Sequence, residues 1–518
     1  MRFMRILNLI AGMAIAALVH ADAQDAARPL LTPKPGPAPE IHGSLVYGVR
    51  PGRPFLYRIP ATGLRPIRFS ADGLPPSLRL DASTGIVSGT SPRKPGEYPV
   101  VLRAANAKGK NSRSFTVVVG DTLALTPPMG WNDWYSHYNH ITDKLMRAAA
   151  DILIASGMAD FGFHYVNIDD CWMVKPDPAS GESPRTPEGD IRPNRDFPDM
   201  NALTAYIHGK GLKVGIYTSP GPLTCAKYEG SYQHEEGDAR QFAAWGFDFL
   251  KYDWCSYERI ARDKSLDEAQ KPYRKMGEIV RNLDRDVVFN LCQYGRNEVW
   301  KWGGDVGGQC WRTTGDLGLE KDTELPGFYS IALKNAEYFE SARPGRWNDP
   351  DYILIGYVGD ARKNDAPSRL TALTADEQYS YMSLWVLMAS PLIYSGDMAH
   401  LDEFTLNVLC NAEVIDLDQD PLGRQARIVR KTPEELVLAK PLEDGSLAVG
   451  LFSLTRAPRT IEVGWADLQL KGEQKARDVW RHKDLGTVSD RYSAAVGPHG
   501  VALVKLSPRN DSARQDAR

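Results

Sequence analysis

The sequence lacks the features that mark a nucleic-acid-binding protein or an integral membrane protein. Its 62 basic and 65 acidic residues almost balance, leaving a formal net charge of -3, and the basic residues do not cluster into a run. There is therefore no electrostatic basis for binding nucleic acid or an anionic membrane. Beyond the N-terminus, no segment is apolar over the ~20 positions that a membrane-spanning helix needs.

Cysteine and metal-binding patterns are equally scarce. Six cysteines in 518 residues are too few to build a disulfide scaffold, and none forms a Cys-x-x-Cys pair of the kind found in zinc ribbons. The ten histidines include no His-Glu-x-x-His pair, and no calcium-loop spacing occurs. We therefore predict that the protein uses neither a metal nor another cofactor.

The first 23 residues have the layout of an export signal. Arg2 and Arg5 precede an apolar stretch at residues 7–19, and the small residues at 21 and 23 offer a cleavage site. The rival interpretation, a membrane anchor, requires a longer apolar stretch. We expect a cleaved signal peptide at residues 1–23, no membrane insertion, and a secreted or periplasmic protein in a compartment where disulfides can form.

Changes in periodicity divide the rest of the chain into five segments. Alternating apolar runs such as residues 55–59 and 114–119 indicate β-strands on either side of a central region, where apolar strands alternate with helical patterns. We predict a Pro-rich linker at residues 24–42, an Ig-like β-sandwich at 43–120, a (β/α)8 TIM barrel at 121–415, a C-terminal antiparallel β-sandwich at 416–507 and a polar tail at 508–518.

The central region contains eight candidate strands. They are residues 129–131, 165–168, 214–217, 249–252, 287–291, 311–313, 346–348 and 392–394. Helices are predicted around residues 199–208 and 276–283, where apolar side chains recur at helical spacing. Eight parallel strands with helices between them close into a barrel whose active site lies where the strands end.

Carboxylates follow six of these eight strands, often beside tryptophan. A single aspartate at a strand end commonly just begins a loop or caps a helix, but six together indicate a site. Such a cluster could bind metal, bind sugar hydroxyls or perform acid–base chemistry. Sugar chemistry fits best, because tryptophan offers an apolar face to a pyranose ring and glycoside hydrolysis needs two carboxyl groups.

Seven motifs, all in one order, carry a specific resemblance. They are residues 128–134 (PMGWNDW), 169–172 (DDCW), 215–217 (GIY), 250–255 (LKYDWC), 311–316 (WRTTGD), 347–351 (WNDPD) and 418–423 (DQDPLG). Together they resemble the α-galactosidases of glycoside hydrolase family 27, in clan D, from the start of the barrel into the C-terminal sandwich. Residues 73–90 separately resemble the Ig-like domains attached to bacterial exported enzymes.

The resemblance implies a retaining hydrolase that removes terminal α-linked galactose from oligosaccharides or polysaccharides. It assigns the nucleophile to Asp253 and the general acid/base to Asp316. Two carboxyl groups in these roles perform a double displacement that retains the α-configuration. Lys251 lies two residues before Asp253 and faces the same side of the strand, where its charge helps to keep Asp253 ionised.

The sugar-binding positions of the family also have matches in this chain. They are Trp134 for the apolar wall, Asp169 and Asp170 for the galactose 4- and 6-hydroxyls, and Tyr217, Lys251, Arg312 and Asp351 for the remaining contacts. Cys225 and Cys255 match a family disulfide at the pocket edge, which joins the loops after the third and fourth strands.

One segment departs from the family pattern. Where the family usually has Cys-Glu-Trp after the fifth strand, with the glutamate on the sugar 2-hydroxyl, this chain has Cys292, Gln293 and Tyr294. The Gln293 amide can still bind that hydroxyl, although it is uncharged and is a donor as well as an acceptor. A pair between Cys292 and Cys310, like one in the family, is left open, as are the partners of Cys171 and Cys410.

Several other functions are left open. A β-L-arabinopyranosidase would need a larger side chain near Asp169, an α-N-acetylgalactosaminidase would need more room near Gln293, and an isomaltose-releasing hydrolase is a further possibility in the family. A non-catalytic carbohydrate-binding protein would lack a carboxylate at position 253 or 316, and both are present. A structural cell-surface protein leaves the aspartates at the strand ends unexplained. The aglycone, the oligomeric state and the purpose of the Ig-like domain are undetermined.

Overall fold

The computed structural model of the chain describes residues 28–177, 179, 181–317, 325–359 and 367–509. The predicted signal peptide and nearly all of the predicted polar tail lie outside these residues. Within them, no helix combines the length and apolarity that crossing a bilayer would require. As predicted, the described residues form an Ig-like β-sandwich, a (β/α)8 barrel and a C-terminal antiparallel sheet domain.

The Ig-like domain consists of nine strands. They are β1 (Glu40–Ile41), β2 (Val46–Val49), β3 (Pro54–Arg58), β4 (Ala61–Thr62), β5 (Arg68–Asp72), β6 (Leu78–Leu80), β7 (Ile86–Thr90), β8 (Gly96–Asn106) and β9 (Gly109–Val119). Strands β2, β9, β8 and β5 form one sheet and β3, β7 and β6 another. Alternate side chains of the two sheets, including Tyr57 and Phe115, form the core. Strand β1 lies inside the segment predicted as a linker, because it pairs with β4.

The barrel contains eight parallel strands. They are β10 (Met129–Asn132), β11 (Tyr165–Asn167), β12 (Lys213–Thr218), β13 (Phe249–Asp253), β14 (Val288–Cys292), β15 (Cys310–Arg312), β16 (Trp347–Asp349) and β19 (Leu392–Tyr394). Strands β10 to β16 pair in chain order and β19 pairs with β10. Between β16 and β19, the barrel is closed by a parallel bridge from Ile353, just after β16, to Tyr394 of β19. A short hairpin, β17 (Tyr357–Val358) and β18 (Arg369–Leu370), follows β16.

Helices follow the barrel strands along the chain. The α-helices are α1 (Trp134–His137), α2 (Asp143–Ala155), α3 (Met200–His208), α4 (Glu235–Trp245), α5 (Leu266–Asn282), α6 (Gly327–Asn335), α7 (Ala375–Leu387), α8 (Glu403–Leu409) and α9 (Ala412–Asp418). Both predicted helices are present, as α3 and α5. Each begins at a side-chain cap, because Asp199 accepts from the Ala202 N–H and Ser265 from the Glu268 N–H.

The interior of the barrel is filled in layers. Its lower layer is apolar and is formed by residues at or near the beginnings of the strands, including Phe249, Val288, Cys310 and Trp347. Two residues further along each of these strands, the side chain again points into the barrel, because the period of a strand is two residues. In this next layer the side chains are polar. Asn290, for example, donates from Nδ2 to Asp349 at 2.8 Å. The barrel is therefore closed below its upper rim.

The C-terminal domain is an antiparallel β-sandwich. Its elements are β20 (Arg427–Lys431), β21 (Glu435–Pro441), β22 (Leu447–Ser453), β23 (Arg459–Gly464), α10 (Trp465–Leu468), β24 (Gln474–Asp478), β25 (Lys483–Val488), β26 (Arg491–Val496) and β27 (Val501–Pro508). Six strands form one sheet in the order β20-β21-β22-β27-β24-β25, and β23 pairs with β26. The domain packs against α7, where Trp480 Nε1 donates to the Ser383 hydroxyl at 2.9 Å.

The Ig-like domain packs against the end of the barrel at which the strands begin. Arg50 binds Asp286, just before β14, through its backbone N–H at 2.9 Å and its Nε at 2.5 Å. Lys213, the first residue of β12, donates to the Tyr47 hydroxyl. This domain therefore lies at the opposite end of the barrel from the strand ends that carry the predicted site.

Candidate active site

A pocket lies where the barrel strands finish. Its lining residues are Trp134, Tyr135, Asp169, Tyr217, Cys225, Lys251, Asp253, Cys292, Tyr294, Arg312, Asp316, Asp351 and Tyr352. All the predicted catalytic and sugar-binding residues except Asp170 and Gln293 are among them. The barrel therefore brings together side chains from strand ends that lie far apart in the sequence.

Asp253, the last residue of β13, is held by donors on both carboxylate oxygens. Its Oδ1 accepts from the Trp254 N–H and from the Tyr294 hydroxyl, each at 2.7 Å. Its Oδ2 accepts from the Tyr217 hydroxyl at 3.0 Å. Burial raises the pKa of Asp253, and the nearby Lys251 charge and these hydrogen bonds oppose that shift.

Asp316 stands at the pocket edge in a different environment. It follows β15 and its side chain is 54% exposed, whereas that of Arg312, which donates to its Oδ1 at 3.2 Å, is 3% exposed. Arg312 also binds Asp351 Oδ2 at 2.9 Å. The two predicted catalytic carboxylates thus differ in environment, because Asp253 is buried and Asp316 is accessible to solvent.

Lys251 and Asp169 form a buried ion pair in the pocket wall. Lys251 Nζ lies 2.7 Å from Asp169 Oδ2, which also accepts from Asn132 Nδ2 at 3.0 Å and from the Tyr352 hydroxyl at 3.1 Å. Burial is the largest single influence on Lys251 and lowers its pKa, but Asp169 and the other acidic groups around it, including Asp253, together raise the pKa well above its ordinary value. Lys251 is therefore a fixed positive charge two residues before Asp253.

Arg312 and Asp351 form a second buried pair. Asp351 Oδ2 also accepts from the Tyr135 hydroxyl at 2.8 Å and from the Leu317 N–H at 2.9 Å. Burial is the largest single influence on Arg312 and lowers its pKa, but the charges of Asp351 and Asp316 and the other acidic groups nearby together raise the pKa well above its ordinary value. The chain that continues from Asp316 is thereby fastened to the segment after β16.

Trp134 supplies the apolar surface. It is the first residue of α1, lies partly buried at the pocket, and its backbone N–H donates to Asn132 Oδ1 at 2.9 Å. Its ring centroid lies 4.7 Å from that of Tyr138. The indole is therefore placed by the end of β10, opposite the charged residues.

Asp170 and Gln293 do not line the pocket. The Asp170 carboxylate accepts from the Cys171 and Ala226 N–H groups at 2.7 and 2.8 Å, and burial raises its pKa to about 7. Gln293 lies between Cys292 and Tyr294 in the sequence, and its side chain is buried. Neither of its amide atoms has a hydrogen-bond partner among the described residues. Asp170 therefore ties the loop after β11 to the Cys225 loop, and the Gln293 contact with a sugar stays a prediction.

The predicted disulfide between Cys225 and Cys255 is present. Cys225 Sγ lies 3.8 Å from Asp253 Oδ2, so the disulfide belongs to the pocket wall. Because its two sulfurs are bonded to each other, they offer no thiolate to a metal ion beside Asp253. Cys292 and Cys310 are free, since Cys310 lies opposite Asn290 in the sheet, one layer below Cys292.

Four residues for which no site role was predicted also line the pocket: Tyr135, Cys292, Tyr294 and Tyr352. Tyr135 and Tyr352 each follow a predicted site residue directly. That adjacency is the one signal in the sequence that could have found them. Their hydroxyls anchor Asp351 and Asp169, so they complete the two buried ion pairs.

Comparisons with known proteins agree with this arrangement. Residues 126–420 match the family model described as Alpha galactosidase A, residues 435–506 the Alpha galactosidase C-terminal beta sandwich domain, and residues 39–120 the family named Putative Ig domain. Alpha-galactosidase 2 of Arabidopsis thaliana is 36% identical over 408 residues, covering 78% of this chain and 94% of the relative.

Solved structures are also similar. The Bacteroides fragilis "putative alpha-galactosidase/melibiase" superposes with a TM-score of 0.83 at 35% identity, covering 93% of this chain and 99% of the other. Alpha-galactosidase I of Mortierella vinacea gives a TM-score of 0.66 at 26% identity, covering 75% and 98%. The chain belongs to the α-galactosidases of glycoside hydrolase family 27.

Proposed function

We propose that the protein is an exported, retaining α-galactosidase that releases terminal α-linked galactose from oligosaccharides or polysaccharides. The observation that carries this proposal is the pair of dissimilar carboxyl groups in one pocket. Asp253 is buried among donors that favour an ionised nucleophile, and Asp316 is exposed enough to exchange protons with water. A double displacement needs two carboxyl groups, one that attacks as the carboxylate and one that transfers a proton.

In the first step, an Asp253 oxygen attacks the anomeric carbon and forms an ester bond to it. The bond between that carbon and the glycosidic oxygen breaks at the same time. Asp316 gives its proton to the departing oxygen, so the aglycone leaves as a neutral alcohol. Galactose is then bound to Asp253 in the β-configuration.

In the second step, Asp316 acts as a base. It takes a proton from water, whose oxygen attacks the anomeric carbon from the face that the aglycone left. The ester bond breaks and its electron pair returns to Asp253. Asp316 is protonated again, and the released galactose has the α-configuration of the substrate.

The remaining pocket residues suit a galactose ring. Trp134 offers an apolar face, while the Lys251–Asp169 and Arg312–Asp351 pairs present fixed donors and acceptors to hydroxyl groups. Both pairs are buried and already hydrogen-bonded, so little reorganisation is required when the sugar enters. Export is supported by the N-terminal sequence and by the disulfide, which persists in oxidising compartments.

The first test is hydrolysis of p-nitrophenyl α-glycosides of galactose, N-acetylgalactosamine and glucose, and of the β-L-arabinopyranoside. We expect the α-galactoside to have the highest kcat/KM, and Asp253→Asn to lower it at least about 1,000-fold. Asp397→Asn is the matched control, because Asp397 also follows a barrel strand but binds Ser368 and His400. Preference for another glycoside would contradict the galactose assignment, and turnover of none would favour a binding protein.

The two carboxyl roles are separated by azide rescue and by NMR. Azide added to Asp253→Gly replaces the missing nucleophile and gives a β-galactosyl azide. Azide added to Asp316→Gly attacks the glycosyl-enzyme and gives the α-azide. In wild type, the α-anomer of galactose should be the first product in the proton NMR spectrum, whereas initial release of the β-anomer would exclude retention.

A further inference from the structure

The segment after β14 brings Tyr294 to the nucleophile through an unusual turn. Tyr294 and Gly295 both have positive φ, of 64° and 77°. The Gly295 N–H donates to the Arg312 carbonyl at 3.0 Å, and a Cβ at Gly295 would lie 2.1 Å from the Thr313 carbonyl oxygen. Only glycine fits there, so the turn is fixed against β15, the strand that leads to Asp316.

The Tyr294 hydroxyl ends beside the Asp253 carboxylate and the disulfide. It lies 2.7 Å from Asp253 Oδ1, and 3.6 and 3.8 Å from the sulfurs of Cys225 and Cys255. These sulfurs are bonded to each other and have no proton to donate. The sulfurs could only accept, and they are much weaker acceptors than a carboxylate, so the hydroxyl donates to Asp253.

Tyr294 remains a donor at any working pH. Burial and the neighbouring Asp253 charge raise the pKa of Tyr294 far above its ordinary value. Two guanidinium groups, of Arg296 and Arg312, lie 5.9 and 5.8 Å from the centre of its ring. Cations in these positions stabilise the ring electrostatically and favour its present orientation.

The two oxygens of Asp253 are bound unequally. Oδ1 accepts two strong hydrogen bonds, from the Trp254 N–H and the Tyr294 hydroxyl, both at 2.7 Å. Oδ2 accepts the longer bond from Tyr217, at 3.0 Å. The carboxylate is thus held in one rotation, in which Oδ2 is the less strongly hydrogen-bonded oxygen and has the Cys225 sulfur beside it at 3.8 Å.

We propose that Tyr294 is a positioning residue for the nucleophile: its hydroxyl holds Asp253 Oδ1 so that Oδ2 attacks the anomeric carbon. This inference rests on the proposed function. In the glycosyl-enzyme, Oδ2 is the ester oxygen and Oδ1 is the carbonyl oxygen, which keeps its bond to Tyr294. When water attacks and the ester bond breaks, negative charge returns to the carboxylate and the Tyr294 bond strengthens. The hydroxyl therefore assists the first step by orienting the carboxylate and the second by stabilising the departing carboxylate, and it transfers no proton in either step.

The test removes the hydroxyl and keeps the ring. Tyr294→Phe should lower kcat/KM for p-nitrophenyl α-galactoside about 10- to 100-fold at neutral pH, because a carboxylate that is free to rotate is less often aligned for attack. The acid limb of kcat/KM against pH reports ionisation of the free nucleophile. A donor to the carboxylate lowers its pKa, so loss of the donor should move this limb to higher pH.

Tyr273→Phe is the matched control. The Tyr273 hydroxyl is buried and donates to the backbone carbonyl of Asp253 at 3.1 Å, so its loss affects the strand end and not the carboxylate. We expect the acid limb of Tyr273→Phe to coincide with that of wild type. Tyr294→Trp places a large aromatic ring without a hydroxyl at this position, and it should shift the acid limb as Tyr294→Phe does.

A second measurement covers the case in which Tyr294→Phe fails to fold. Replacing Tyr294 with 3-fluorotyrosine keeps the shape and strengthens the donor, and should move the acid limb to lower pH. The proposal is wrong if both variants titrate as wild type does, or if Tyr273→Phe shifts the limb equally. Failure of wild type to hydrolyse any α-galactoside would instead contradict the proposed function.

Discussion

At the scale of single residues, the pocket is organised by buried charges that occur in pairs. Lys251 is matched by Asp169 and Arg312 by Asp351, and a tyrosine hydroxyl completes each pair. A buried charge whose partner is removed is costly, because it keeps its desolvation penalty without the compensating attraction. The sugar-binding residues therefore also contribute to the stability of the barrel.

Lys251→Met should lower the free energy of unfolding by about 3–5 kcal/mol, because Asp169 is left buried without its cation. The double variant Lys251→Met with Asp169→Asn should recover most of this loss in urea unfolding while remaining inactive. Lys431→Met is the control, since the Lys431–Glu337 pair is 38% and 54% exposed and should cost at most about 1 kcal/mol. If the double variant is as unstable as Lys251→Met alone, the unpaired Asp169 carboxylate is not the cause of the lost stability.

The charged site residues that line the pocket were predictable, whereas three of its four tyrosines, Tyr135, Tyr294 and Tyr352, were not. Aspartate and lysine are rarely buried, so Asp253 and Lys251 stand out beside an apolar strand. The chain has 22 tyrosines, many of which are core residues, and nothing in the sequence distinguishes a hydroxyl aimed at a carboxylate. The Gln293 contact stays a prediction, since matching a residue to a family position does not establish where its side chain points.

At the scale of elements, all eight barrel strands were predicted to within one residue at each end. Short apolar runs with carboxylates at their ends identify parallel strands, because both faces of such strands are buried. Register is harder, since it depends on pairing between distant segments. The open question of a Cys292–Cys310 pair was settled by register, which places Cys310 opposite Asn290.

The disulfide connects two elements at the pocket. Cys225 and Cys255 are 30 residues apart, and closing a loop of that length contributes about 3–4 kcal/mol through the entropy of the unfolded chain. Cys225→Ser with Cys255→Ser should therefore destabilise the protein by that amount and lower kcat, because the disulfide touches Asp253 and Tyr294. Thermal unfolding and turnover of the oxidised and the reduced wild type provide the comparison. Identical behaviour of these two forms would contradict this role.

At the scale of the whole molecule, the three domains form a continuous structure in which the Ig-like domain contacts the lower end of the barrel. Arg50 is central to that interface, with its side chain 9% exposed and that of Asp286 15% exposed. The sequence identified the domain by its strand pattern. It could not reveal the docking, because the contacting residues are ordinary surface types until two domains bury them.

Arg50→Met should lower the free energy of unfolding by about 2–3 kcal/mol, because it leaves Asp286 partly buried without its cation. Kinetic constants should be unchanged, since the pocket lies at the other end of the barrel. Calorimetry should show one transition in wild type and an earlier, broader one in the variant. Arg103→Met is the control, because Arg103 pairs with Asp72 on the exposed surface of the Ig-like domain and not across the interface. A change in KM for Arg50→Met would show that the interface reaches the pocket.

The apolar layer that fills the barrel beneath the pocket, formed by Phe249, Val288, Cys310 and Trp347, closes the barrel from below, so ligands reach the pocket from the rim. In the proposed double displacement, the aglycone must therefore move away from that opening before water can reach the glycosyl-enzyme. Galactose is released by the same route, so entry of substrate, entry of water and exit of both products follow one another through a shared opening.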